Sequence, residues 1–249
     1  MVDFTKFYKD KANVAYMVLG YPNLKISEEF LKRLDESSID VLELGIAYSD
    51  PIADGEIIAN AAKIALEQGA DIHKIFELLA KIKTKKALVF MVYYNLIFSY
   101  GLENFVKKAK ALGISALIVP ELSYEESKPL YKECQKYDIA LITLVSITTP
   151  KERVKELVKN AKGFIYLLAS VGITGGQSAD NKLLQEKIQE IRSFTQPPIY
   201  VGLGVKNNTD VRNMRKLADG VIVGTNIVKL FASNDVNQIL KGVEEIFEK

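Results

Sequence analysis

Short apolar, β-branched runs alternate with longer amphipathic segments along almost the whole chain. The apolar runs are continuous, which is typical of parallel strands whose two faces are both buried. They predict strands at Ala15–Leu19, Val41–Leu44, Ala87–Val92, Ala116–Val119, Ala140–Leu144, Phe164–Leu167, Ile199–Val201 and Gly220–Val223. Helical patterns occur between them, at Ser27–Glu36, Ile57–Gln68, Ile72–Lys83, Leu102–Leu112, Glu125–Tyr137, Lys151–Lys159, Lys182–Phe194, Thr209–Leu217 and Asp235–Phe247.

Eight strands, each followed by helix, predict an α/β fold of the (β/α)8 TIM-barrel class, with residues 1–249 forming a single domain. An open doubly wound sheet is the alternative, but it would need a G-x-G-x-x-G fingerprint after the first strand, where LGYPN stands. The long connection between Gly45 and Lys86 has room for a loop and two helical pieces. Its length favours an elaborated active-site loop after strand two, with a plain insertion as the alternative.

Composition narrows the function classes. The net charge is +2, from 33 basic and 31 acidic residues, and the lysines are scattered, so we expect no nucleic-acid partner. No apolar run approaches the ~20 residues that cross a bilayer, and the first residues do not resemble a signal peptide, which favours the cytoplasm. Cys134 is the sole cysteine and His73 the sole histidine, so disulfides, cysteine metal clusters and histidine triads lose their support and no metal site is expected. Acid–base chemistry must rely on carboxylates, tyrosines or lysines.

One carboxylate stands out because it lies inside an apolar strand. Glu43 is placed in Val-Leu-Glu-Leu-Gly, where a charge is costly unless it is paired, hydrogen-bonded or protonated. The turn-rich residues that follow put Glu43 near the carboxyl end of its strand, where parallel α/β folds carry catalytic groups. The same turn-rich stretch carries a second carboxylate, Asp54.

Glycines are concentrated late in the chain, after the last three predicted strands: Gly172–Gly176, Gly202–Gly204 and Gly224. Loops after strands seven and eight of such barrels often bind phosphate, although glycines also serve simple strand-to-helix turns. The segment Gly172–Asp180 reads as a lid over the ligand or as a flexible turn. Tyrosines near strand ends, such as Tyr93 and Tyr94 after strand three, are either packing residues or additional site residues.

The stretch Leu42–Gly55, LELGIAYSDPIADG, closely resembles the signature of the tryptophan synthase alpha subunit family. The stretch is specific, whereas the glycine pairs are common to many phosphate-binding barrels. Further matches stand in family order along nearly the whole chain: Leu19–Pro22, Asn95–Phe98, Tyr166–Leu168, Gly172–Gly175, Gly202–Gly204 and Gly224–Lys229.

The resemblance implies a lyase that cleaves indole-3-glycerol phosphate to indole and glyceraldehyde 3-phosphate by a retro-aldol reaction. It implies no cofactor in this subunit. Indole would pass to a beta subunit that uses pyridoxal phosphate (PLP), within an alpha2beta2 heterotetramer that makes tryptophan.

The resemblance also implies roles for single residues. Glu43 would be a proton shuttle, and Asp54 would stay ionised and stabilise the cation formed on the indole ring. Tyr166 would flank the reacting centre, and Tyr16 and Ile222 would surround the indole ring. The phosphate would be held by the backbone amides of Gly175, Gly204, Gly224 and Thr225. Asp50 and Pro51 would face the beta subunit.

The chain departs from the family pattern at three places. Ala47 and Glu56 stand where proline is common, which predicts a less rigid Glu43 loop before the partner binds. Ala169-Ser170-Val171 replaces Ser-Arg-Ser, which removes a cation near the lid. Two other functions stay open at this point: a different phosphosugar barrel, and a non-catalytic barrel that only activates a beta subunit.

Overall fold

A computed structural model of the chain describes residues 3–7, 9–169, 181–202, 205 and 207–248. Its strands are β1 (Ala12–Val18), β2 (Val41–Gly45), β3 (Ala87–Met91), β4 (Ile114–Ile118), β5 (Ala140–Leu141), β6 (Thr143–Ser146), β7 (Ile165–Leu168), β8 (Ile199–Gly202) and β9 (Gly220–Val223).

The strands form a barrel in which all described pairings are parallel. Within the described residues the order is β5-β4-β3-β2-β1-β9-β8-β7-β6. Since β5 and β6 are separated by Ile142 alone, the two ends of this order meet along the chain and the barrel closes there. The predicted (β/α)8 barrel is therefore confirmed.

The predicted fifth strand, Ala140–Leu144, is two strands in the structure. β5 pairs with β4 and β6 pairs with β7, so one continuous run changes neighbour half-way. Ile142 lies at the change and donates its backbone N–H to the carbonyl oxygen of Leu117, at 2.9 Å. Residue pattern alone cannot reveal this, because both halves are apolar.

The helices lie outside the barrel: α1 (Leu24–Lys32), α2 (Glu56–Glu67), α3 (Ile72–Leu79), α4 (Tyr94–Tyr100), α5 (Leu102–Ala111), α6 (Lys128–Lys136), α7 (Lys151–Val158), α8 (Asn181–Arg192), α9 (Asn208–Arg215), α10 (Thr225–Phe231) and α11 (Val236–Phe247). The predicted helices all recur with shifted ends, whereas α4 and α10 were not predicted. Within the described residues, no helix is long and apolar enough to cross a membrane.

The inner core closes the end of the barrel at which the strands begin. Phe4, on the short 3-10 helix Phe4–Phe7, packs edge-on against Phe164 with ring centres 5.2 Å apart. Phe164 stacks on Tyr200 at 4.4 Å. These rings join the apolar inner residues of the strands, including Val14 and Val41, in one buried cluster. Within the described part of the chain, a ligand could therefore reach the barrel interior from the opposite end, where the strands finish.

Candidate active site

Glu43 projects into the barrel near the carboxyl end of β2. It lies two residues after Val41, whose side chain belongs to the inner cluster, and successive side chains of a strand alternate between faces. In the sheet register Glu43 pairs with Tyr16 on one side and Val89 on the other. The predicted inward position of Glu43 is what the structure has.

The Glu43 carboxyl group is fully buried, and neither oxygen has a hydrogen-bond partner among the described residues. Burial raises its pKa to about 8, because the ionised form loses its hydration and gains no compensating contact. Glu43 is therefore a neutral acid at neutral pH, with a proton that it can donate.

Asp54 lies on the loop between β2 and α2 and is only partly buried. The hydroxyl of Tyr93 donates a hydrogen bond to its Oδ2, at 3.0 Å. Burial raises the pKa of Asp54 to about 6, and the Tyr93 hydrogen bond opposes that rise. Asp54 is thus mainly ionised at neutral pH, while Glu43 keeps its proton.

Two predicted tyrosines lie close enough to both carboxyl groups to feel their charge. Burial raises the pKa of Tyr16 well above its usual value, and the nearby Asp54 and Glu43 act in the same direction. The pKa of Tyr166 is raised in the same way, mainly by burial and further by the nearby Glu43 and Asp54. Both phenols consequently stay protonated and sit within electrostatic reach of both acids.

Two glycines make room for these rings. A methyl group on Gly45 of β2 would overlap the Tyr16 ring, and one on Gly202 of β8 would overlap the Tyr166 ring. The glycines therefore let the two tyrosines lie flat across neighbouring strands at the mouth of the barrel.

Two residues that the sequence predicts as phosphate contacts lie at the start of α10. Gly224 is the N-cap of α10 and Thr225 its first residue. Asn226 Nδ2 donates to the carbonyl oxygen of Val205, at 2.7 Å, which ties the segment after β8 to the start of α10. Ile222 is buried in β9 as part of the inner cluster. Gly175, Gly204 and the lid segment Gly172–Asp180 lie outside the described residues.

The family model described as "Tryptophan synthase alpha chain" matches residues 4–248. The chain belongs to the tryptophan synthase alpha chain family. A "Tryptophan synthase alpha chain" of Campylobacter jejuni subsp. doylei is 75% identical over 249 residues, 100% of each chain. One from Methanocaldococcus jannaschii is 41% identical and covers 95% of this chain and 85% of its own.

Solved structures of tryptophan synthase have the same fold. A tryptophan synthase subunit alpha from Campylobacter jejuni superposes with a TM-score of 0.94 at 74% identity, over 99% of this chain and 100% of that one. A structure described as the tryptophan synthase a2b2 complex of Pyrococcus furiosus superposes with a TM-score of 0.87 at 30% identity, over 97% of this chain and 100% of that one. The resemblance predicted from the sequence is confirmed, and the chain is a lyase of the tryptophan synthase alpha family.

Sequence reasoning left one residue of this alpha-chain site without a role. Tyr93 follows β3 and was only noted as a strand-end tyrosine, whereas the structure brings its hydroxyl onto Asp54. No local pattern signals a contact between residues 39 positions apart.

Proposed function

We propose that Glu43 and Asp54 carry out the retro-aldol cleavage of indole-3-glycerol phosphate to indole and glyceraldehyde 3-phosphate. The observation that carries this proposal is the Glu43 carboxyl group, which is buried in the barrel lumen without a hydrogen-bond partner among the described residues. A buried neutral acid opposite a partly exposed carboxylate provides the two protonation states that the reaction needs.

Glu43 acts first as an acid. It donates its proton to C3 of the indole ring, which places a positive charge on the ring and weakens the bond to the side chain. The resulting Glu43 carboxylate then removes the proton of the adjacent side-chain hydroxyl. That carbon becomes the aldehyde, the carbon–carbon bond breaks, and its electrons restore the aromatic indole.

Asp54 stabilises the intermediate cation. Its carboxylate accepts a hydrogen bond from the indole N–H, so its negative charge lies beside the nitrogen where positive charge develops. Tyr16 and Ile222 surround the ring, and Tyr166 flanks the reacting carbon. Tyr16 and Tyr166 stay uncharged because their pKa values are raised.

The phosphate of the substrate would anchor at the far side of the mouth. Gly224 and Thr225 offer backbone N–H groups at the start of α10. By the family resemblance, the amides of Gly175 and Gly204 complete this anchor. Binding the phosphate there directs the indole ring toward Glu43.

The test is a cleavage assay on the purified chain that measures indole release. Glu43→Gln keeps the shape but has no labile acid proton, so we expect activity to fall at least about 10³-fold. Asp54→Asn removes the charge opposite the ring cation, and we expect a fall of about 10²-fold. Glu56→Gln, an exposed carboxylate near the same loop, is the matched control and should behave as wild type.

Near-normal indole release by Glu43→Gln would contradict the assigned role. A wild-type chain that consumes the phosphosugar without releasing free indole would instead be a different phosphosugar enzyme. Unchanged turnover after both carboxylates are replaced would identify a non-catalytic activator.

A beta subunit is the partner that we assign to the mouth end of the barrel. Asp50 and Pro51 lie on the loop after β2, and the next residue, Ile52, is 72% exposed. Phe98, on α4 at the same end, is 64% exposed. Exposed apolar side chains that share one surface are typical of protein interfaces, and Ile52 and Phe98 lie at the same end of the barrel. PLP would belong to that beta subunit, to which indole passes directly.

Two further expectations stay predictions from the sequence. The first is that residues 1–249 form one domain. The second is that the chain works in the cytoplasm.

A further inference from the structure

Tyr93 occupies the junction between β3 and α4, where it is the residue before the first turn of the helix. Its side chain is buried, and its hydroxyl oxygen makes two hydrogen bonds to the Asp54 loop. It donates to Asp54 Oδ2 at 3.0 Å and accepts from the backbone N–H of Ala53 at 3.0 Å. One oxygen atom therefore holds both the carboxylate and the chain that carries it.

The ring of Tyr93 is itself held in place. It stacks on Tyr48 with ring centres 5.3 Å apart and the planes 28° from parallel. The Tyr48 hydroxyl accepts a hydrogen bond from Asn95 Nδ2 at 3.1 Å. The start and the end of the loop from Tyr48 to Asp54 are thus both fastened to the segment that joins β3 to α4.

We propose that Tyr93 is a positioning residue for Asp54, which sets where the carboxylate lies and keeps it in the ionised form that the ring cation requires. This inference rests on the catalytic role proposed for Asp54. A carboxylate on a loop accelerates the reaction only if it is already aligned before the charge develops, because its reorganisation at that moment would raise the barrier.

The charges around Asp54 explain why one hydroxyl matters. Among the described residues, the titratable groups that act on Asp54 or on its partner Tyr93 are Tyr16 from β1, Glu43 from β2, Tyr166 from β7 and Glu121 after β4. They are phenols or carboxyl groups, and none of them brings a positive charge. Within the described part of the chain, no second side chain donates a hydrogen bond to Asp54.

The test is Tyr93→Phe, which keeps the ring and its stacking on Tyr48 and removes only the hydroxyl. We expect kcat to fall about tenfold, the usual effect of losing a hydrogen bond to a charged group, with a smaller change in KM. The acid limb of the pH–rate profile should move to higher pH, because the ionised form of Asp54 loses its donor.

A second readout needs no turnover. Carboxyl carbon NMR should show Asp54 titrating at higher pH in Tyr93→Phe than in wild type, with the signal assigned by its loss in Asp54→Asn. The matched control is Tyr100→Phe, on the same helix α4, whose ring packs edge-on against Phe76 and whose hydroxyl makes no hydrogen bond within the described residues. It should leave both profiles unchanged.

A Tyr93→Phe variant with the wild-type acid limb and the wild-type Asp54 titration would overturn the proposal, even if its rate fell. That result would leave the hydroxyl with a packing role only. Asp54→Asn, assayed in parallel, separates the two failures: wild-type cleavage by that variant would refute the function proposed for Asp54 itself.

Discussion

At the scale of single residues, the two carboxyl groups of the site differ in how deeply they are buried. Glu43 is enclosed by the barrel and has no hydrogen-bond partner among the described residues, whereas Asp54 is partly open and receives a hydrogen bond from Tyr93. The same physical cause, lost hydration, therefore raises the pKa of Glu43 to about 8 and that of Asp54 only to about 6.

The pH–rate profile should follow from these two values. As pH falls through about 6, Asp54 gains a proton and can no longer stabilise the cation. As pH rises through about 8, Glu43 loses the proton that it must donate. We expect a bell-shaped kcat/KM profile for the isolated chain, measured as indole release from pH 5 to 10.

Asp54→Asn should lose the acid limb of this profile and keep the alkaline limb. Activity that stays constant up to pH 10 in the wild-type chain would contradict the role of Glu43 as the acid.

Glu43 should also make stability depend on pH. Its pKa is raised in the folded state, so the folded chain holds a proton that the unfolded chain releases above about pH 4.5, the ordinary value. The free energy of unfolding therefore decreases from about pH 4.5 to about pH 8. At roughly 1.4 kcal/mol per pKa unit, the loss is on the order of 5 kcal/mol.

Glu43→Gln removes this ionisation and should become more stable than wild type as pH rises. Urea unfolding at pH 5 and pH 8.5 measures the effect, with Glu56→Gln as the exposed control. An equal difference between Glu43→Gln and wild type at both pH values would rule out the buried titration.

At the scale of elements, the site depends on two glycines, Gly45 and Gly202, at which a tyrosine ring from the neighbouring strand lies close to the backbone. Gly45→Ala should lower stability by about 1–3 kcal/mol and displace Tyr16, because the added methyl group overlaps that ring. Gly224→Ala is the comparison, since its methyl group would lie 3.9 Å from Ile58 Cδ1, an ordinary contact. Thermal unfolding of both variants checks this, and an equal Tm for the two would be evidence against it.

The elements themselves were largely predictable, because continuous apolar runs mark strands that are buried on both faces. Each predicted strand region overlaps a strand of the structure. β1 starts earlier than predicted, at Ala12, since the polar Asn13 interrupts the apolar run. Asn13 is nevertheless buried, and it is held by hydrogen bonds with Asp40 and the backbone of Ser38.

The helix α4 was missed for a different reason. Its seven residues, Tyr94–Tyr100, carry no charged face to contrast with an apolar one. The sequence indicates the two carboxylates of the candidate site by local signals: Glu43 is an acid inside an apolar strand, and Asp54 lies in the turn-rich stretch that follows it. The role of Tyr93 has no such signal, because it depends on how two distant segments meet.

At the scale of the whole molecule, one end of the barrel carries both the candidate site and two exposed apolar side chains, those of Ile52 and Phe98. Phe98→Asp should weaken beta-subunit binding strongly, because a charge would be buried in the interface. Its thermal unfolding should stay close to wild type, since Phe98 is 64% exposed in the isolated chain.

Titration of the beta subunit by calorimetry measures the binding. Leu66→Asp is the comparison, because Leu66 is an apolar residue of a different helix, α2, and is 37% exposed. Equal affinities of Phe98→Asp and wild type would move the interface elsewhere.

The aromatic rings of Phe4, Phe164 and Tyr200 form a floor that closes one end of the barrel. This floor limits where Glu43 can obtain a proton. With the floor closed and the substrate filling the open end, Glu43 cannot exchange with bulk water during a turnover. The proton it gives to the ring must be replaced from the hydroxyl of the same molecule, so every cycle begins and ends with the acid form. Condensation of indole with the aldehyde then needs that same form, and synthesis and cleavage should both cease at one alkaline pH.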